Sequence, residues 1–131
     1  MELLTRVERA WVTAALVFMV LDVVAGNVKG FVSKKWNSSN GWEGIKKKTG
    51  LILVIALGIA CHITQMHVDL GFHFPILDFL CGYIIFVEIL SVVENVCEID
   101  PRMKTNKFLK FFDFARDGLA DDDEEIGKYA A

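Results

Sequence analysis

Three polar side chains, Glu88, Ser91 and Asn95, interrupt an otherwise apolar run over 76–96. Their spacing of three and four residues puts them on one face of a helix at ~100° per residue. Cys81 and Ile84 lie on the same face one to two turns earlier, whereas Glu94 points roughly 120° away. A carboxylate in such a helix must meet a partner, face water or be neutral. Two readings of the face stand side by side. It lines a pore or subunit contact, or Glu88 is a buried, hydrogen-bonded acid that joins helices. A second polar pair, Asp22 and Gly26, is four residues apart in the first apolar run. Gly26 permits close backbone approach. Asp22 either pairs with Ser, Asn or a lysine reaching in from the loop, or marks the end of the run.

The chain has no pattern that does covalent chemistry. It lacks Gly-x-Ser-x-Gly, His-Glu-x-x-His and a Gly-rich phosphate loop, and Glu88 and Glu94 diverge too far for an acid–base pair. No catalytic residue and no cofactor are expected. His62, His67, Asp69 and His73 match no ligand spacing, so no metal site is expected either. Cys61, Cys81 and Cys97 are odd in number and set in apolar sequence, and read as small packing residues.

The elements that must position these residues follow from charge and hydropathy. The chain has 131 residues, 53% of them hydrophobic, and a mean hydropathy of +0.40. This exceeds the apolar share of ~45–50% usual in soluble proteins. The net charge of −3 argues against a nucleic-acid partner. Between 28 and 48 stand six lysines and one acid, and no lysine or arginine follows until Arg102. Cations are costly at a bilayer centre and collect in cytoplasmic loops, so the gap predicts membrane spans. An all-α membrane protein with about three spans, near 11–28, 49–66 and 76–96, is expected. A soluble bundle would show polar faces at helical spacing, and 51–60 shows none.

The loop over 29–48 carries Lys34, Lys35, Lys46, Lys47 and Lys48, which are expected at the membrane surface. Asn40 and Glu43 have the spacing of a capping box and predict a helix start there. Pro75 fits the opening of the third span, and Pro101 ends it. Beyond it Lys104, Lys107 and Lys110 alternate with phenylalanines, predicting an interfacial amphipathic helix over about 103–115. That completes a membrane domain over 1–115, followed by an acidic tail at 116–131. Both basic regions belong in the cytoplasm and the lysine-free loop near 68–74 outside, with the N-terminus out and the C-terminus in.

Two stretches resemble a known family. One is Val20-Leu21-Asp22-Val23-Val24-Ala25-Gly26 with the later Asn37-Ser38-Ser39-Asn40-Gly41-Trp42-Glu43-Gly44-Ile45-Lys46-Lys47-Lys48. The other, more specific, is Phe86-Val87-Glu88-Ile89-Leu90-Ser91-Val92-Val93-Glu94-Asn95. Together they look like the phage lysis and toxin-secretion holins of Gram-positive bacteria and their phages, over roughly 12–110. Two positions depart from the pattern. Cys61-His62 stands where many members carry an acid, and Glu98-Ile99-Asp100-Pro101 replaces the usual Gly-x-Pro connection. The resemblance implies a homo-oligomer in the bacterial cytoplasmic membrane that opens a lesion through which an endolysin or a secreted toxin passes. The alternative is a small non-lytic channel, or an anchor that recruits a soluble partner through its C-terminal region.

Overall fold

Thr5 starts the first helix. Its hydroxyl accepts from the Glu8 backbone N–H at 3.3 Å, and the Glu8 carboxylate accepts from the Thr5 N–H at 2.7 Å. This reciprocal cap satisfies two of the N–H groups that a helix start leaves open. Helix α1 then runs over Arg6–Val32 and closes on Ser33, with Lys34 in the left-handed region at φ 52°. This computed structural model describes residues 4–35 and 38–105 and the single positions 110, 114 and 117. Helix α2 covers Ser38–His67 and α3 covers Ile76–Ile99, followed by a 3-10 turn at Pro101–Thr105. The described residues contain no strand.

All three helices are long and apolar enough to cross a membrane. At 1.5 Å per residue they reach about 40, 45 and 36 Å, more than a hydrocarbon core of ~30 Å. Only 11%, 17% and 22% of their most apolar windows are buried within the chain. The remainder, including Leu16, Val20, Val24, Leu53, Leu57 and Phe79, faces outward. A surface this apolar calls for lipid as its solvent.

Helix α2 begins at Ser38, so Asn40 lies inside it and is not its cap. The capping signal at Asn40 yields to helix propagation from the lysine-rich stretch, which adds a hydrogen bond for each residue fixed. Much of the expected basic loop is therefore the first part of α2. The expected interfacial helix over about 103–115 and the tail over 116–131 fall largely outside the described residues, as does Lys107.

Helix α3 packs against both others, whereas α1 and α2 touch only slightly. The buried face of α3 is Leu77, Cys81, Ile84 and Glu88, and Ala15, Met19 and Ile55 meet it. Gly58 is where α2 comes nearest. A Cβ there would stand 3.1 Å from Leu77 Cδ1 and 3.2 Å from Leu80 Cδ1. The link between α2 and α3 turns at Gly71 (φ 73°), whose N–H donates to Asp69 Oδ1 at 2.9 Å.

Candidate functional site

Each helix contributes one charged side chain to a cluster inside the bundle. Lys48 of α2 donates to Asp22 of α1 at 2.7 Å and also to the carboxylate of Glu88 on α3. Asp22 and Lys48 side chains are 11% and 13% exposed, and Glu88 is fully buried. Asn95 Nδ2 donates to the second oxygen of Asp22 at 3.0 Å, and the Ser91 side chain lies close to the same carboxylate. Thus Glu88, Ser91 and Asn95 do share one face of α3, and that face looks into the chain's own bundle.

A second, more exposed tier lies toward the end of α1 and α3. Lys29 pairs with Glu98 at 2.9 Å and reaches Asn95 Oδ1 at 3.4 Å. The two tiers meet at Asn95, which accepts from Lys29 and donates to Asp22.

Helical geometry explains why Lys48 turns inward. Lys48, Ile55 and His62 recur every seven residues, so they share one face of α2. The long side chain of Lys48 lets the ammonium reach both acids from that face. Lys34, Lys35, Lys46 and Lys47 remain exposed, as do Lys104 and Lys110. Lys46 lies 3.9 Å from Glu43 and 6.0 Å from the Trp42 ring centroid. Lys48 therefore does not stand with these surface lysines, and the seven-residue spacing was the signal that separates it from them. Glu94 is exposed on a different face, as its angle requires. A Cβ on Gly26 would sit 3.8 Å from Asn95 Nδ2, an ordinary contact, so the close helix approach belongs to Gly58 instead.

At the other end of the bundle His62 Nδ1 lies 3.0 Å from Glu8 Oε1, both side chains nearly buried. The same Glu8 caps α1, so one acid fixes a helix start and ties α1 to α2. The described residues hold no group of three or more potential metal ligands. The cysteines are free, with Cys81 and Cys97 buried.

The formal charge of the Lys48 cluster is unbalanced, with two carboxylates around one ammonium, and Glu88 Oε1 is buried without a hydrogen-bond partner among the described residues. Such a cluster is suited to holding helices in register, and removing its ammonium strands both acids in low dielectric.

The model of the bacteriophage holin family matches the chain over residues 2–113. Comparison with the curated proteins and with the solved structures gives no match.

Proposed function

Because the chain belongs to the bacteriophage holin family, and is accordingly a multi-pass membrane protein, we propose that it oligomerises in the bacterial cytoplasmic membrane and opens a lesion. Through that lesion an endolysin reaches the cell wall, or a toxin leaves the cell. The family match over residues 2–113 carries this reading. The structure supports it in two ways. Its apolar helices expose most of their surface to lipid, and its polar residues are gathered at a few points that can be rearranged between copies.

The physical logic is concentration dependence. Interhelical polar contacts in a bilayer are worth only ~1 kcal/mol each. Single chains therefore stay dispersed until enough copies accumulate for many weak contacts to act together. In this reading Glu88, Ser91, Asn95 and Asp22 are the groups available to line water or join subunits once the bundle rearranges. Lys34, Lys35, Lys46 and Lys47 contact anionic headgroups on the cytoplasmic side, and Lys104, Lys107 and Lys110 do the same after the third span. The N-terminus is outside and the C-terminus inside, as the positive-inside rule directs.

Timed expression beside an endolysin tests the function. Abrupt loss of viability with release of endolysin activity is expected. Depolarisation without protein release would make the chain a selective channel, and neither effect would make it an anchor. For orientation, a cysteine at position 70 should react with an impermeant maleimide from outside and one at position 40 should not. The reverse pattern would invert the topology.

A further inference from the structure

We infer that Lys48 is the positioning residue that keeps the polar face of α3 closed inside each chain, and that it thereby sets the amount of protein at which the membrane opens. The inference rests on the lesion-forming reading above and adds to it a named control point.

Three observations carry it. First, Lys48 is the cation that meets both buried acids, Asp22 from α1 and Glu88 from α3. With α1 and α2 barely in contact, this bridge joins all three helices at one depth. Second, the groups that would have to face water or another copy in a lesion are the groups that the bridge occupies. Glu88 is fully enclosed, and Asp22 is covered by Lys48, Asn95 and Ser91. Third, the bridge is unbalanced. One ammonium faces two carboxylates, and Glu88 Oε1 has no hydrogen-bond partner among the described residues. The closed arrangement thus contains a force against itself. Glu88 gains partners when water or a neighbouring copy reaches it, while Lys48 loses two when the helices part. Surrounding charges are Lys29 and Glu98 in the adjoining tier, which balance each other at 2.9 Å, and the exposed Lys47, which acts on Asp22 from the solvent side and leaves fully buried Glu88 with Lys48 alone.

Charge bookkeeping then predicts opposite signs for two substitutions that remove the same contact. Lys48→Gln leaves two acids without their cation and should ease opening. Glu88→Gln leaves Lys48 paired one-to-one with Asp22, removes the excess charge and should hinder opening. Lys48→Arg keeps the cation and should behave as the parent protein. A role limited to general stability would move the first two in the same direction.

The test uses the full chain, purified and reconstituted into phosphatidylglycerol–phosphatidylethanolamine vesicles loaded with fluorescent dextran. Dextran release is measured against protein-to-lipid ratio, with co-flotation confirming insertion. The expected result is a release threshold about fivefold lower for K48Q and about fivefold higher for E88Q, the size that ~1 kcal/mol for one interhelical polar contact in a bilayer implies. The inference is overturned if E88Q lowers the threshold or leaves it unchanged, an arm that decides even where K48Q fails to insert. It is also overturned if inserted K48Q matches the parent protein, or if K48R shifts as K48Q does. A parent protein that inserts and releases no dextran at any ratio would instead defeat the lesion-forming reading itself.

Discussion

The two halves of the bundle hold together by different physics. Around Leu77, Cys81 and Ile84 the helices meet through apolar side chains, with Ala15, Met19 and Ile55 opposite and Gly58 allowing close approach. Around Glu88 they meet through charge, with one charged residue from each helix and a hydrogen bond from Asn95. In lipid the apolar half has no hydrophobic drive to associate, because lipid tails are as apolar as its own side chains. It contributes close packing alone. The charged half is poorly solvated by lipid and must find its partners within the bundle or in another chain. The apolar half therefore makes the bundle compact, and the charged half makes it specific.

The largest expected effect breaks the charged half. Lys48→Gln strands two acids and should cost about 3–5 kcal/mol, the range for removing one partner of a buried ion pair. Unfolding of the purified protein by titration with a denaturing detergent measures this. A smaller effect comes from the apolar half. Gly58→Val drives methyl groups into Leu77 and Leu80 and should cost about 1–3 kcal/mol as overpacking. By contrast Gly26→Ala, which meets only an ordinary contact with Asn95, should stay within about 0.5 kcal/mol. Equal costs at the two glycines would erase the distinction between the halves.

The smallest effect lies outside both. Arg102 donates from Nε and Nη2 to the two oxygens of Asp100, each at 3.0 Å. That hydrogen bonding holds the Asp100 carboxyl below its ordinary value. A depressed folded value means the pair's contribution is present above the carboxylate's unfolded pKa and is lost as pH falls through the folded one. Titration of the Asp100 side chain by NMR should show this depression, and Arg102→Gln should reduce it to the part that the Arg102 backbone N–H maintains.

Much of this organisation is legible in the sequence, for reasons that differ by residue. Spans are legible because hydropathy needs no knowledge of neighbours. The shared face of Glu88, Ser91 and Asn95 is legible because helical spacing is local. The inward turn of Lys48 is harder to read. Its place beside Lys46 and Lys47 suggests the membrane surface, and only its register with Ile55 and His62 points the other way. The Glu8–His62 contact is not legible, because it joins residues far apart in the chain through the relative placement of two helices. The cap at Thr5 was legible as Thr-x-x-Glu, the same signal sought at Asn40. There, helix propagation overrode it.

Lys48 holds the polar face of α3 closed within one chain through its bond to Glu88. A double-mutant cycle on Lys48 and Glu88 tests it most directly. Lys48→Gln, Glu88→Gln and the double substitution are compared by detergent unfolding of the monomer. The account predicts that Lys48→Gln costs much less when Glu88 is already Gln, a coupling of about 1–3 kcal/mol. Additive effects, agreeing within about 0.5 kcal/mol, would contradict it.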